Sequence, residues 1–100
     1  MPYRIAEFMK IFSNPVRVKI IFALGCYDEK NVNQLVMELG AKQCYISQQL
    51  IYLTTKGILQ RRRNEHHVYY SLKNKDAVKL LELAMAKVTN QTTGLQAAGK

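Results

Sequence analysis

The sequence contains few of the residues that mark secreted or membrane-embedded proteins. Its two cysteines, Cys26 and Cys44, lie far apart and form no Cys-x-x-Cys pair, which excludes a disulfide-rich scaffold and a zinc ribbon. No apolar run approaches the roughly 18 residues of a membrane span, and residues 1–4 lack the charged-then-apolar layout of a secretion signal. We therefore expect a soluble cytoplasmic protein with reduced thiols and no membrane contact.

Acidic residues are also scarce. Seven Asp and Glu residues stand against fifteen Lys and Arg, which leaves a formal charge of +8, and a polyanionic partner is the simplest reason for such an excess. Charge alone does not separate nucleic acid from a membrane surface. The basic residues cluster on a predicted hairpin rather than along one amphipathic helix, and this disfavours binding to a membrane surface.

A catalytic constellation is missing as well. The sequence has no plausible set of nucleophile, base and orienting residue and no glycine-rich phosphate loop, so neither an enzyme nor a bound cofactor is expected. Its 100 residues, 48% of them hydrophobic, correspond to one ordinary folded domain. We place this domain at residues 1–88 and expect residues 89–100 to form a flexible tail, because that segment has little to bury.

Apolar periodicity predicts three helices in the first part of the chain. The first covers residues 3–12 and has one strongly apolar face. Asn14 is suited to cap the second helix and Pro15 to occupy its first position. This second helix is apolar nearly all round, which is typical of a buried central helix. A third, amphipathic helix is capped by Asn31 and ended by Gly40.

A fourth helix is predicted over residues 42–56. Ile46, Leu50 and Leu53 recur at helical spacing and give it one core-facing side. The opposite side carries amides, hydroxyls and a thiol but no charge before Lys56, which suits the reading of base edges in DNA. An ordinary solvent-facing polar surface is an equally good interpretation of this helix taken alone.

After Gly57 the apolar period changes from 3.6 to 2, which predicts a β-hairpin over residues 59–72. Its three consecutive arginines alternate in direction, so at most two of them face one partner; charge that protects an edge strand from aggregation is the alternative. A last helix, with Asp76 as its expected cap, carries a broad apolar stripe up to Val88. Two helices joined by a tight glycine turn and followed by a hairpin predict a mainly α, winged helix-turn-helix fold. The helices and strands of this fold follow one another along the chain in the order α1-α2-α3-α4-β-β-α5.

Four segments resemble, in order and spacing, the ArsR (arsenic-repressor) type of winged-helix transcriptional regulators. They are residues 12–24 (FSNPVRVKIIFAL), 46–53 (ISQQLIYL), 56–59 (KGIL), and 61–63 (RRR) with 67–72 (HVYYSL). The resemblance covers about residues 5–88 and implies a homodimeric repressor that binds a pseudo-palindromic operator in double-stranded DNA. It also implies a dimer interface on the first and last helices, formed by Ile5, Phe8, Met9, Phe12, Leu80, Leu81, Ala84 and Val88.

The same resemblance implies that the fourth helix and the hairpin, or wing, meet DNA. The residues expected at the DNA are Lys42, Gln43, Cys44, Tyr45, Ser47, Gln48, Arg61, Arg62, Arg63 and His66. We expect Gln48 to read a base, because its amide can donate to and accept from adenine at the same time. Ser47 and Tyr45 are better suited to phosphate oxygens, which position a protein without specifying sequence.

The chain departs from the family at the sites where many members sense metals. Where such members have Cys-x-Cys in the third helix, residues 32–34 are VNQ, and the last helix has no histidine. Zinc takes about four nitrogen, sulfur or oxygen ligands, so we predict no metal site of the known family kinds. His66 and His67 are poor co-ligands, because adjacent strand positions point to opposite faces.

Two further interpretations stay open. Cys44, near the start of the fourth helix in a basic setting, is a candidate oxidation switch, with Cys26 as the second thiol. A small side chain packed against DNA is the plainer interpretation of Cys44. Alternatively, an exposed Ile51 beside Tyr52 would suit a winged-helix module that docks another protein instead of DNA.

Overall fold

The structure is a computed structural model that describes residues 2–25 and 28–98, with side chains described for residues 4–25 and 28–89. Its helices and strands follow the predicted order, mainly α with one hairpin. They are α1 (Pro2–Lys10), a 3₁₀ turn (Ile11–Ser13), α2 (Pro15–Leu24), α3 (Val32–Leu39), α4 (Gln43–Thr55), β1 (Leu59–Asn64), β2 (His67–Leu72) and α5 (Asp76–Ala98). The predicted first helix therefore ends at Lys10 and continues as the 3₁₀ turn.

Side-chain caps mark the starts of α2 and α3, as predicted. Asn14 Oδ1 accepts hydrogen bonds from the second and third backbone N–H groups of α2, at 2.8 and 3.3 Å, and Pro15 occupies the first position. Asn31 and Gln34 form a reciprocal capping box at α3, with both hydrogen bonds at 2.8 Å. Gly40 ends α3 with φ 67°, a left-handed conformation that favours glycine.

The start of α5 differs from the prediction. Asn74 Oδ1 accepts a hydrogen bond from the backbone N–H of Asp76 at 3.1 Å. The capping side chain is therefore Asn74, and the prediction that Asp76 caps this helix was wrong. Asp76 is the first helical residue, where its negative charge faces the positive end of the helix dipole. The backbone of α5 continues through Ala98, beyond the predicted boundary at residue 88; the division of the chain there stays a prediction.

The two strands pair antiparallel along their whole length, which confirms the predicted wing. Their turn places Glu65 at φ 56°, a left-handed conformation uncommon outside glycine. Lys30, in the segment before α3, forms a bridge to Tyr70 of β2, with backbone N–H to carbonyl distances of 3.0 and 2.8 Å. The wing is thereby joined to the segment that leads into α3.

The core lies where α2, α4, the wing and the start of α5 meet. Its buried apolar residues are Ile11, Ile20, Ile21, Leu24, Leu35, Ile46, Leu50, Leu53, Ile58, Leu59, Tyr70, Leu72, Ala77, Val78 and Leu81. Full burial of one Ile or Leu side chain contributes about 1.5–3 kcal/mol. Ile46, Leu50 and Leu53 are fully buried, which confirms the predicted core face of α4. This helix is therefore held from one side, and its other side is left open.

Candidate nucleic-acid interface

The open side of α4 carries uncharged polar groups. Cys44, Gln48, Ile51 and Thr55 are exposed, as their spacing opposite the core face predicts. Of the other predicted contact residues on and before this helix, Lys42, Gln43 and Tyr45 are exposed and Ser47 is half-buried. The structure thus brings the predicted contact residues of this segment together on one exposed surface.

One flank of α4 packs on the start of α2 through polar contacts. Asn14 Nδ2 donates a hydrogen bond to the hydroxyl of Tyr45 at 2.9 Å. Arg17 Nε donates to Gln49 Oε1 at 2.8 Å, and the Arg17 guanidinium lies 3.7 Å from the centre of the Tyr52 ring. These contacts fix the rotation of α4 about its own axis relative to α2.

Sequence reasoning missed the pair formed by Arg17 and Gln49. Gln49 is only 8% exposed, and a buried amide must find a hydrogen-bond partner. Its position, three residues after Ile46 and four before Leu53, places it beside the core face of the helical wheel. That spacing was the available signal for its burial, whereas nothing in the spacing pointed to Arg17 as the partner.

The other flank of α4 faces the wing. Ile51, Thr54 and Thr55 of α4 line a cleft of about 290 Å³ together with Arg61 and Tyr70 of the wing. Arg61 is paired with Tyr70 across the hairpin, and Arg63 is paired with Val68. Because strand residues alternate between faces, Arg61 and Arg63 share the face that packs towards α4.

Arg62 points to the opposite face of the wing. Its Nε and Nη2 donate hydrogen bonds to the two carboxylate oxygens of Glu29, at 2.9 and 2.8 Å, and its guanidinium lies 5.2 Å from the Tyr69 ring centre. Hydrogen bonding by Arg62, together with its charge, holds the pKa of Glu29 below its ordinary value, and the same contact raises the pKa of Arg62. Of the three arginines, two therefore face one way, which agrees with the predicted alternation.

The tip of the wing lies near the starts of α3 and α4. His66 and His67 line a cleft of about 200 Å³ with Asn33 and Gln43. His66 occupies the exposed turn, and His67 lies on β2. Within residues 2–25 and 28–98, no group of three or more His, Cys, Asp or Glu is placed to hold a metal ion, and the predicted absence of a family-type metal site stays a prediction.

Of the two cysteines, Cys44 lies in the first turn of α4 as an exposed free thiol. Cys26 lies outside the described residues, so the predicted second thiol has no structural description.

The predicted dimer residues divide into exposed and packed groups. Ile5, Met9, Ala84 and Val88 are exposed, whereas Phe8, Phe12 and Leu80 are half-buried and Leu81 belongs to the chain's own core. Phe8 and Phe12 contact each other edge to face, with ring centres 5.3 Å apart. Ala84 and Val88 line an apolar cleft of about 250 Å³ between α2 and α5, together with Phe22 and Met85. No helix in the described part of the chain is long and apolar enough to cross a membrane.

Comparison with individual known proteins identifies the family, although no family model matches the sequence. The biofilm growth-associated repressor of Xylella fastidiosa is 34% identical over 77 residues, which cover 77% of this chain and 67% of that protein. The crystal structure of a Mycobacterium tuberculosis protein superposes with a TM-score of 0.80 at 28% identity, covering 92% of this chain and 93% of the other.

A second solved structure shares the fold. It is a homodimeric winged helix-turn-helix domain from Mycobacterium bovis, described as a possible ArsR-family transcriptional regulator, with a TM-score of 0.73 and 24% identity over 85% of this chain and 78% of the other. These similarities confirm the predicted winged helix-turn-helix architecture and the resemblance seen in the sequence. The chain belongs to the ArsR-type winged helix-turn-helix transcriptional regulators.

Proposed function

We propose that the chain is a cytoplasmic, sequence-specific transcriptional repressor that binds double-stranded DNA as a homodimer. The observation that carries this proposal is the exposed, uncharged polar face of α4 around Gln48. The opposite face of the helix is anchored in the core by three fully buried side chains. Such a face suits the major groove, where each base pair presents its own set of hydrogen-bond donors and acceptors. The basic wing beside it supplies charge for the phosphate backbone.

Within this proposal the residues have distinct roles. Gln48, exposed near the middle of the open face, reads a base, while Tyr45 and Ser47 contact phosphate oxygens. Arg61 and Arg63 contact the backbone beside the wing, because they share the face towards α4. Arg62 contributes less to DNA contact, since its guanidinium is bound to Glu29. Lys42, Gln43, Cys44 and His66 complete the proposed DNA surface.

Dimerisation uses the terminal helices. Ile5 of α1 is 61% exposed and Val88 of α5 is 61% exposed, and large exposed apolar side chains on both terminal helices support this use of the two helices. A twofold dimer matches a pseudo-palindromic operator when its two reading helices lie about 34 Å apart, one helical turn of DNA.

Selection of duplexes from a random pool, followed by substitution of Gln48, tests the proposal. The wild-type protein is expected to enrich a pseudo-palindromic sequence, and Gln48→Ala to lose about 1–3 kcal/mol of discrimination at one base pair of each half-site. Gln60→Ala, which removes an exposed amide from β1, is the matched control and should keep the selectivity. Failure of the wild type to enrich any sequence would contradict the proposal.

One observation favours a different function. Ile51 is 60% exposed at the centre of the open face of α4, and an apolar side chain there suits a protein partner better than a base edge. A protein-docking module would bind duplex DNA weakly and with little dependence on salt. A repressor would lose affinity steeply as salt rises, because each neutralised phosphate releases counterions.

A thiol-responsive repressor is the remaining variant of the proposal. Cys44 is an exposed free thiol on the face assigned to DNA, where an oxidised sulfur would interfere with groove contacts. Treatment with peroxide should then weaken operator binding of the wild type and leave Cys44→Ser unchanged. Equal affinity of both proteins before and after treatment would exclude the switch.

A further inference from the structure

A second basic surface lies on the flank of α4 that faces away from the wing. It is an open pocket of about 450 Å³. Its lining residues are Glu7, Lys10, Ser13, Asn14, Pro15, Arg17, Tyr52 and Lys56. Three cationic side chains therefore face one carboxylate, and they come from α1, α2 and the end of α4. Neither α1 nor α2 has a role in DNA contact in the function proposed above.

The central cation of this pocket is held in place. Arg17 donates from Nε to Gln49 at 2.8 Å and from Nη1 to the carbonyl oxygen of Ile11 at 3.5 Å, and its Cζ lies over the Tyr52 ring, 3.7 Å from the ring centre. A guanidinium has five N–H donors, and these two hydrogen bonds use two of them. A cation already fixed by its neighbours loses little side-chain entropy when an anion binds.

The second and third cations, Lys10 and Lys56, are exposed side chains that line the same pocket. Lys56 Nζ lies 5.6 Å from the centre of the same Tyr52 ring, and Lys10 ends α1; both side chains are exposed. The backbone N–H groups at the start of α2 do not form this site, because Asn14 Oδ1 already accepts from two of them. The positive charge of the pocket therefore comes from side chains.

The position of the pocket relates it to DNA. At 3.6 residues per turn, Tyr52 and Lys56 lie on one side of the exposed face of α4, and Ser47 and Thr54 lie on the other. Thr54 lines the cleft towards the wing, so the pocket and the wing lie on opposite flanks of the same helix. A helix with its side chains is about 10–12 Å wide, close to the roughly 12 Å width of the major groove, so both flanks meet a groove wall.

We propose that this pocket binds a backbone phosphodiester of the DNA strand across the major groove from the strand that the wing contacts. The inference rests on the function proposed above and extends the DNA surface to α1 and α2. Lys10 and Lys56 neutralise the phosphate, and Arg17 supplies a fixed donor at the base of the site. With phosphate contacts from the pocket on one flank and from the wing on the other, the depth and tilt of α4 in the groove are fixed.

The test uses the double variant Lys10→Gln with Lys56→Gln. The matched control is Lys19→Gln with Lys79→Gln, which removes the same charge from exposed positions outside the pocket. Affinities for the duplex selected by the wild type are measured over a series of potassium chloride concentrations. A plot of log K against log salt has a negative slope. For the pocket double variant this slope should become less steep by about 0.9 for each pocket that contacts a phosphate in the wild type. The control should retain the wild-type slope. Equal slopes for the two double variants would overturn the inference.

Ethylation interference locates the phosphates. Ethylated phosphates that inhibit the wild type but no longer inhibit the Lys10 and Lys56 variant should lie on the strand across the groove from those identified with Arg61→Gln. Coincidence of the two sets would overturn the proposed geometry. Calorimetric titration with inorganic phosphate at constant ionic strength provides a further arm. Binding of free phosphate without any change in the salt slope of the double variant would identify a small-anion site instead.

Failure of this inference is distinguishable from failure of the proposed function. If the wild type binds no duplex in a salt-dependent way, both fail. If the wild type binds DNA and Gln48→Ala relaxes its sequence preference while the pocket variant behaves as its control does, only the pocket assignment fails. Thermal unfolding of all variants verifies that they are folded.

Discussion

Arg62 and Glu29 form a two-point hydrogen-bonded ion pair that ties the wing to the segment before α3. The two contacts measure 2.9 and 2.8 Å. Next to them, Lys30 bridges to Tyr70 through its backbone and pairs with Glu38 of α3 through its Nζ at 2.7 Å. The wing is therefore attached near the middle of its strands to the segment before α3, and the guanidinium of Arg62 is turned away from the face shared by the other two arginines.

The first prediction concerns the unequal roles of the arginines. Arg61→Ala and Arg63→Ala should each make the salt dependence of DNA binding shallower by about 1 per protomer, roughly 2 for the dimer, as expected for one lost phosphate contact in each protomer. Arg62→Ala should reduce it by less, because its charge is already offset by Glu29. Fluorescence anisotropy over a salt series measures all three. Identical slopes for the three variants would show that Arg62 leaves Glu29 and contacts DNA.

The second prediction follows from the lowered pKa of Glu29. A carboxyl group with a depressed pKa in the folded state stabilises that state above its ordinary pKa of about 4.3. This contribution is lost as pH falls through the folded-state pKa. Glu29→Gln should therefore increase hydrogen exchange of the wing amides at neutral pH, with the difference from wild type disappearing in acid. Glu82→Gln on α5 is the control, and an equal effect there would contradict the assignment.

The third prediction separates two adjacent glutamines. Gln49→Ala should lower the free energy of unfolding by about 1.5–3 kcal/mol, because it removes the acceptor for the charged Arg17 side chain. Gln48→Ala, one position away on the exposed face, should change that free energy by no more than about 0.5 kcal/mol. Urea denaturation measures both. Similar destabilisation by the two variants would contradict the orientation of α4.

The fourth prediction tests the cap of α2. Asn14→Ala should cost about 1 kcal/mol of stability, since the second and third N–H groups of α2 lose their acceptor. Asn14→Asp keeps an acceptor at the same place and should remain close to the wild type. Thermal and urea unfolding distinguish the variants. Equal losses would assign the effect of Asn14 to its hydrogen bond with Tyr45 instead of the cap.

The fifth prediction tests the proposed dimer surface. Met9 of α1 is 49% exposed beside other apolar residues, and Met37 of α3 is 85% exposed. Met9→Asp should shift the protein towards monomer in sedimentation equilibrium, because a charge in an apolar interface loses its hydration. Met37→Asp should leave the association state unchanged. A dimer that withstands Met9→Asp would place the interface elsewhere.

Much of the architecture followed from local rules. The 3.6-residue period assigned Ile46, Leu50 and Leu53 to the core and Gln48 to the surface, because a helix turns each residue by a constant angle. Asn14 was predictable as a cap because its short side chain reaches N–H groups two and three residues ahead. These features depend on residues close together in the chain, so the sequence contains the necessary information.

Tertiary packing determined the long-range contacts that orient the side chains around the candidate DNA surface. Arg17 meets Gln49 across 32 positions of sequence, and Arg62 meets Glu29 across 33. No periodicity relates such residues; they meet because buried apolar faces bring α2 against α4 and the wing against the segment before α3. The sequence by itself determined which face of α4 is exposed. The packing of the other elements determined which cations stand on its two flanks, because a side chain's partner depends on where distant elements dock.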